Sequence, residues 1–186
     1  MDEVTRSALA AKAGDRSAAE SFVAATQADV RRFLAHLADP GDLDDLSQET
    51  YLRAMRALSS FDARSSARTW LFAIARRVAA DHVRLARRRP RRSATPDWQD
   101  SIERVQPVGP AFDEGVVLRR LLVDLAPDRR EAFVATQVLG LSYLEAAAVC
   151  DCPVGTIRSR VARAREDLIA ALAADTGDGR PRRAAT

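Results

Sequence analysis

The chain has 186 residues, of which 47% are hydrophobic and 30% charged, and it carries a net charge of +3 at pH 7. This length allows one large domain or two small ones. The two cysteines exclude a secreted disulfide framework, and no apolar run reaches the roughly eighteen residues that a membrane span needs. Because the N-terminus also lacks a signal segment, we expect a cytoplasmic protein.

The composition and the charge distribution indicate the class of protein. Leucine, alanine and arginine dominate and β-branched clusters are few, which predicts an all-α fold. Residues 1–49 hold ten acidic side chains against five basic ones, whereas residues 50–92 hold twelve arginines against two aspartates. A basic segment beside an acidic one is typical of a nucleic-acid surface next to a protein-binding surface.

Two helices are predicted before residue 40. The first covers residues 3–13 and closes at Gly14, a residue suited to the left-handed position after a helix. Ser17 and Glu20 have the spacing of a capping box at the start of the second helix. A Pro-Gly pair at residues 40–41 then interrupts the chain.

The third predicted helix carries an acidic outer face. Asp42 is placed to cap it, and its buried stripe runs from Leu43 to Leu58. Carboxylates and an amide spaced by four residues share the opposite face and form what we name the docking stripe: Asp44, Asp45, Gln48 and Glu49. Three interpretations compete. The first is a metal site, although this run lacks the glycine and the terminal glutamate of a calcium loop. The second is a solvated face stabilised by the helix dipole, and the third is a protein-docking surface.

A polar loop, residues 61–69, leads into a strongly basic helix over residues 70–89, which Thr69 is placed to cap. Arginines beside hydroxyl and aromatic groups are typical of surfaces that bind separated nucleic-acid strands. We name the candidate residues the strand surface: Phe61, Arg64, Ser65, Ser66, Arg68, Thr69, Arg77, Arg84 and Arg88. Trp70 and Phe72, by contrast, are expected in the core, because aromatic residues at helical spacing usually pack.

The domain organisation follows from a change in composition after residue 89. Residues 90–112 are rich in proline and polar residues without a sustained period, so we expect a flexible linker between two small helical domains. The first domain is predicted to cover residues 1–89 and the second residues 113–174. Residues 175–186, with two glycines and a proline, are expected to form a disordered tail.

The second domain is predicted to contain a helix-turn-helix. Ser142 and Glu145 have capping-box spacing at the start of one helix, and Pro153 ends this helix and suits the start of the next. The second helix has an apolar stripe from Ile157 to Leu172, so arginines and hydroxyls lie on its exposed side. We name this side the recognition face: Thr156, Arg158, Ser159, Arg160 and Arg163. It suits a DNA major groove, and the alternative is an ordinary antiparallel helix pair with a solvated basic face.

Cys150 and Cys152 lie at the elbow between these two helices. No histidine or further cysteine lies near enough in sequence to complete a zinc set. We therefore expect small buried fillers there and no metal site, with a redox role left open.

Residues 152–160 read Cys-Pro-Val-Gly-Thr-Ile-Arg-Ser-Arg, and Ala-Arg-Ala-Arg-Glu follows at residues 162–166. This run resembles the recognition helix of bacterial RNA polymerase sigma factors of the extracytoplasmic-function group. Residues 42–54 are similar to the segment by which sigma factors bind the coiled-coil clamp of the polymerase. Residues 61–89 look like the sigma element that recognises and melts the −10 promoter element, although Arg77 stands where the family frequently has asparagine.

The resemblance implies sigma domain two, a linker and sigma domain four, in a protein that is not an enzyme and needs no cofactor. The docking stripe would bind core RNA polymerase, the strand surface would capture the opened −10 strand, and the recognition face would read the −35 element. Promoter DNA and core polymerase are the implied partners, and an anti-sigma factor is left open. The rival classes are a helix-turn-helix regulator that acts without the polymerase and a recombinase-like enzyme, for which the sequence lacks a nucleophile or metal constellation.

Overall fold

The computed structural model describes residues 1–88 and 121–177, and all regular structure in these two ranges is helical. The predicted all-α class is therefore confirmed. The predicted linker lies outside the described residues, as do residues 178–186 of the predicted tail, whereas residues 175–177 end the last helix. None of the described helices is long and apolar enough to cross a membrane.

Residues 1–88 make up what we name the first helical group. Its helices are α1 (Glu3–Lys12), α2 (Arg16–Ala35), α3 (Leu43–Ala57) and α4 (Ala67–Arg88). A 3-10 turn precedes α3 at Pro40–Asp42 and another follows it at Leu58–Ser60. The core lies between α2 and α4, where the buried rings of Phe33 and Phe72 meet edge to face with centroids 5.4 Å apart. This contact helps to hold α4 against α2.

Residues 121–177 make up the second helical group. After helical residues 121–123 its elements are α5 (Pro127–Phe133), a π-helical turn (Val134–Val138), α6 (Tyr143–Cys150) and α7 (Val154–Gly177). Ile157 and Val161 of α7 are fully buried, as predicted, but Leu172 is 45% exposed and the buried stripe ends at Leu168. The spacing of Leu172 places it on the same side of α7 as the buried residues. Its burial, however, depends on whether another helix packs against that part of α7. The group also packs against the first through α4 and α6.

The start of α2 differs from the sequence expectation. Asp15 is its N-cap residue, and the Asp15 carboxylate accepts a hydrogen bond from the Ala18 amide at 3.0 Å. The predicted capping box of Ser17 and Glu20 is therefore wrong. Gly14, as expected, takes the left-handed conformation after α1, with φ of +100°.

Two other predicted caps are displaced. The turn before α3 runs directly into the helix, so Asp42 has helical dihedral angles and its carboxylate accepts no cap bond. Asp42 Oδ2 instead lies 2.9 Å from His82 Nε2 of α4. At the start of α4, Ser66 Oγ accepts a hydrogen bond from the Thr69 amide at 3.1 Å, so Ser66 does the capping that was predicted for Thr69.

Candidate nucleic-acid and protein interfaces

The docking stripe lies on the outer face of α3. Asp44, Asp45 and Gln48 are exposed and Glu49 is half-buried, while the opposite face of the helix packs into the core. Asp44 forms an ion pair with Arg31 of α2, and Asp45 and Gln48 have no hydrogen-bond partner among the described residues. Helix α3 therefore has the predicted apolar inner face and acidic outer face. An acidic surface of this kind suits a basic protein partner.

A chain of ion pairs connects the docking stripe with α4. Arg53 Nε donates to Glu49 Oε1 at 2.7 Å, and Arg53 Nη1 donates to Asp81 Oδ2, also at 2.7 Å. Arg84 Nη1 lies 3.7 Å from Asp81 Oδ1. The hydrogen bonds to Asp81 and to Glu49 raise the pKa of Arg53. Asp81 and Arg84 are three residues apart on one helix, whereas Arg53 and Asp81 are 28 positions apart and meet only because α3 packs against α4.

The loop of the strand surface holds its aromatic residue inside the protein. Phe61 is 2% exposed, its ring centroid lies 5.0 Å from that of Trp70, and its carbonyl accepts a hydrogen bond from Lys12 Nζ at 2.8 Å. Arg64, by contrast, is exposed and pairs with Asp62 at 2.7 Å. Ser65 and Ser66 of the same loop are half-buried.

Two further residues of the strand surface contact the second helical group. Arg68 Nη2 donates to Asp29 Oδ2 at 2.7 Å and to the Leu139 carbonyl at 3.3 Å. Thr69 is 1% exposed, and its hydroxyl donates to Glu145 Oε1 at 3.4 Å. These two predicted DNA contacts are therefore engaged by other parts of the same chain.

The arginines of the strand surface on α4 are placed differently. Arg77 and Arg84 are exposed, and the side chain of Arg88 lies outside the described residues. An exposed guanidinium keeps most of its hydration and can exchange water for a phosphate oxygen at little cost. Arg64, Arg77 and Arg84 are thus the residues of the strand surface that are accessible in this conformation.

The helix-turn-helix begins with the predicted capping box. Ser142 Oγ accepts from the Glu145 amide at 3.2 Å, and Glu145 Oε2 accepts from the Ser142 amide at 2.9 Å. Hydrogen bonds from the hydroxyl and the amide of Ser142 lower the pKa of Glu145. The turn between the helices is made by Asp151 in the left-handed conformation, with φ of 53°, a conformation that Asp adopts more readily than most residues. Nothing in the sequence analysis had assigned this role to Asp151.

The two cysteines occupy different environments at this elbow. Cys150 is 3% exposed, and burial raises the pKa of its thiol to about 12. Cys152 is half-buried, and its sulfur lies 3.6 Å from Arg160 Nη1. No group of three or more metal-ligating side chains converges within the described ranges. Cys150 thus packs as a small apolar side chain, which agrees with the predicted filler.

The recognition face on α7 is divided between exposed and engaged side chains. Arg158, Ser159 and Arg163 are exposed and Thr156 is half-buried. Arg160 differs, because its Nε lies 3.1 Å from Asp128 Oδ2 of α5 and its side chain is only 24% exposed. In this conformation Arg160 holds α7 against α5, whereas the other four side chains are exposed or partly exposed.

Comparison with known proteins identifies the family. Residues 22–89 match the sigma-70 region 2 model and residues 116–168 match the sigma-70 region 4 model. The ECF RNA polymerase sigma factor SigC of Mycobacterium tuberculosis is 54% identical over 171 residues, which are 91% of each chain. The ECF RNA polymerase sigma-E factor of Escherichia coli is 34% identical over 174 residues, 83% of this chain and 86% of the relative.

Two solved structures are similar to this chain. The structure of CnrH in complex with the cytosolic domain of CnrY has a TM-score of 0.73 at 29% identity, covering 94% of this chain and 99% of that one. The sigma factor RpoE of Bartonella quintana, crystallised with the anti-sigma factor NepR, has a TM-score of 0.70 at 29% identity, covering 84% and 97%.

With a sigma region 2 and a sigma region 4 in one chain, the protein is a sigma factor. It belongs to the extracytoplasmic-function group, to which the relative that matches 91% of its length also belongs. It is a transcription initiation factor that binds core RNA polymerase and directs it to specific promoters, and it is not an enzyme. The rival interpretation of a regulator that acts without the polymerase is not favoured.

Proposed function

We propose that the docking stripe of α3 is the contact with core RNA polymerase. The observation that carries this proposal is the arrangement of Asp44, Asp45, Gln48 and Glu49 along one outward face of a helix whose other face is buried. Carboxylates on a rigid helix lose little conformational freedom when they bind. Ion pairs with a basic partner surface therefore form at a low cost in conformational entropy. The metal interpretation of the same acids is disfavoured, because they point outward along the helix and do not converge.

A charge-reversal experiment tests this proposal. The double variant Asp45→Lys with Glu49→Lys should fail to co-elute with core polymerase in size-exclusion chromatography, since like charges would then face each other. The matched control is Glu3→Lys with Glu20→Lys, which changes the charge equally at exposed acids of α1 and α2. Circular dichroism would check that both variants remain folded. Co-elution of the α3 variant at the wild-type level would refute the docking assignment.

For the strand surface, we propose that Arg64, Arg77, Arg84 and Arg88 follow the phosphates of the opened −10 strand. The support is the exposure of the first three beside a loop of small hydroxyl residues. Phe61, packed on Trp70, supports the shape of the loop rather than stacking on a base. The remaining proposed contacts are Ser65, Ser66, Arg68 and Thr69, of which Arg68 and Thr69 are bonded to the second helical group in this conformation.

For the recognition face, we propose that α7 enters the major groove of the −35 element. Arg158 and Arg163 can reach guanine edges or phosphates, and the hydroxyls of Thr156 and Ser159 can reach either. Arg160, held by Asp128, orients the helix in the groove and contacts DNA through the donors that this ion pair leaves available. Ala162 offers only a methyl group on this side, so the arginines carry most of the base discrimination.

The place of action and one partner are also proposed. We infer that the protein works in the cytoplasm, where bacterial RNA polymerase is found, and cell fractionation tests this inference. We also propose an anti-sigma partner, because RpoE of Bartonella quintana was solved with an anti-sigma factor and CnrH with a cytosolic domain of CnrY. Deleting the genes that flank the coding sequence tests whether one of them encodes this partner. Unchanged transcription after the deletion would count against a neighbouring anti-sigma gene.

A further inference from the structure

Both ends of the loop in the strand surface are bonded to α1. At the first end, Lys12 Nζ donates a hydrogen bond to the Phe61 carbonyl at 2.8 Å. At the second end, the amide of Ala67, the first residue of α4, donates to Thr5 Oγ1 at 2.9 Å. These two bonds join residues that are 49 and 62 positions apart in the chain. One helix therefore holds the loop at the point where it begins and at the point where it ends.

The Thr5 hydroxyl is oriented to accept a hydrogen bond from α4. Thr5 is 4% exposed, and its hydroxyl donates its own proton to Asp2 Oδ2 at 2.7 Å. Because that proton is used, the oxygen lone pairs are left for the Ala67 amide, which no carbonyl within α4 can reach. Asp2 Oδ1 also accepts from the Thr5 amide at 2.9 Å and caps α1. The starts of α1 and α4 thus share one hydrogen-bonded unit.

The residues of α1 that bond the loop lie on one side of the helix. Thr5, Ala8 and Lys12 are spaced by three and four residues, so their side chains share a face. Ala8 is fully buried between the other two, and α1 packs against both α4 and the 3-10 turn before the loop. The packed side of α1 therefore carries a buried hydroxyl near one end and an ammonium group at the other.

The loop contains a turn that needs support from its surroundings. Ala63 is partly buried and has the left-handed conformation, with φ of 57°. Residues with a Cβ atom rarely adopt this conformation unless neighbouring contacts hold it. On either side of Ala63, the Asp62 carboxylate accepts from the Arg64 amide at 3.3 Å and pairs with its guanidinium at 2.7 Å. The conformation of Ala63 therefore determines the direction in which Arg64 leaves the loop.

We propose that α1 holds the loop of the strand surface in its binding conformation, and that Thr5 and Lys12 are positioning residues for recognition of the −10 element. This inference rests on the proposed strand surface. Thr5 and Lys12 act through the loop, because their bonds keep the left-handed turn that directs Arg64. A loop that is already in its bound conformation loses less conformational entropy when the strand binds.

The test uses substitutions in the full chain that remove one bond each. Thr5→Val keeps the shape of the side chain but removes the hydroxyl, whereas Thr5→Ser keeps the hydroxyl. Lys12→Met removes the ammonium group. Its matched control is Arg6→Met, which removes an exposed cation of α1 that has no ion pair among the described residues. Circular dichroism and co-elution with core polymerase check that the variants fold and bind core.

Limited digestion with trypsin, followed by mass spectrometry, measures opening of the loop, because trypsin cleaves after Arg64. The rate of cleavage follows the population of the open loop when closing is fast. We expect Thr5→Val and Lys12→Met to be cleaved after Arg64 about fivefold faster than wild type, as loss of one hydrogen bond would give. Thr5→Ser and Arg6→Met should be cleaved at the wild-type rate.

Run-off transcription with the reconstituted holoenzyme measures recognition of the promoter. The templates are a promoter selected by the wild-type protein from a random library and its single-base variants. Thr5→Val and Lys12→Met should lower base preference within the −10 element about fivefold and leave preference within the −35 element unchanged. A general loss of stability would instead reduce transcription equally from all templates. Thr5→Ser should restore the preference, and Arg6→Met should retain it.

Equal cleavage after Arg64 in wild type and Lys12→Met would overturn the proposal. Faster cleavage with unchanged −10 preference would overturn it as well, because the shape of the loop would then not control recognition. Run-off transcription with Arg64→Ala tests the strand surface separately. Reduced transcription in that variant keeps the proposed strand surface even where the role of α1 fails, and transcription at the wild-type level removes both.

Discussion

Replacing Arg163 with alanine gives the sharpest test of how α7 reads DNA. Arg163 is exposed and forms no ion pair among the described residues, so its removal should change the free energy of unfolding by less than about 0.5 kcal/mol. A bidentate contact from arginine to a base pair is worth about 1–3 kcal/mol of discrimination. Because each 1.4 kcal/mol is a factor of ten, we expect preference at one position of the −35 element to fall by about 5- to 150-fold.

The assay is run-off transcription with the reconstituted holoenzyme. Promoters selected by the wild-type protein from a random library supply the reference sequence, and variants at each −35 position then report base preference for the wild type and Arg163→Ala. Loss of preference at one base pair indicates a base contact, whereas a uniform loss indicates a phosphate contact. Unchanged preference at every position, with unchanged yield, would refute the assignment of Arg163 to the recognition face.

Arg160→Ala is the matched control, because it removes the same side chain from the same helix. Arg160 is held by Asp128 at 3.1 Å, so its loss should lower the stability of the second helical group by up to about 1 kcal/mol. Transcription should then fall to a similar extent on all −35 variants. If Arg160→Ala instead altered base preference more than Arg163→Ala, the division of roles along α7 would be wrong.

Two further predictions concern buried side chains. Phe61→Ala should lower the free energy of unfolding by about 3–5 kcal/mol in urea titration, because the ring is 2% exposed. Ser65→Ala, in the same loop, should lower it far less. Equal unfolding midpoints for the two variants would refute the packing of Phe61. Burial raises the pKa of the Cys150 thiol from 9.0 to about 12, so above pH 9 the thiol ionises in the unfolded chain before it does in the folded protein. The free energy that the buried neutral thiol adds to unfolding should therefore be complete below pH 9 and lost as the pH rises toward 12. Mass spectrometry after iodoacetamide at pH 8 should find Cys152 alkylated first, and faster alkylation of Cys150 would contradict its burial.

The sequence by itself determined the features that depend on neighbours within one helix. The capping box of Ser142 and Glu145, the outward stripe of α3 and the buried stripe that begins at Ile157 are all as the spacing predicted. Side chains three and four residues apart meet whatever the rest of the fold does. The same local rules misplaced the cap of α2, because several oxygens near a helix start can cap it and the backbone path selects one, here Asp15.

Tertiary structure alone decided which functional candidates are accessible. Phe61 was predicted to contact the separated strand, but its ring is buried against Trp70. Arg160 was predicted to face DNA, but Asp128 holds it. The pair of Arg76 and Glu131 joins residues 55 positions apart. Helical periodicity carries no information at that distance, since the partner of a side chain there is set by how whole helices pack. The sequence thus determined a sigma factor with a region 2 and a region 4, and the packing of α4 against the second helical group decided that these regions meet.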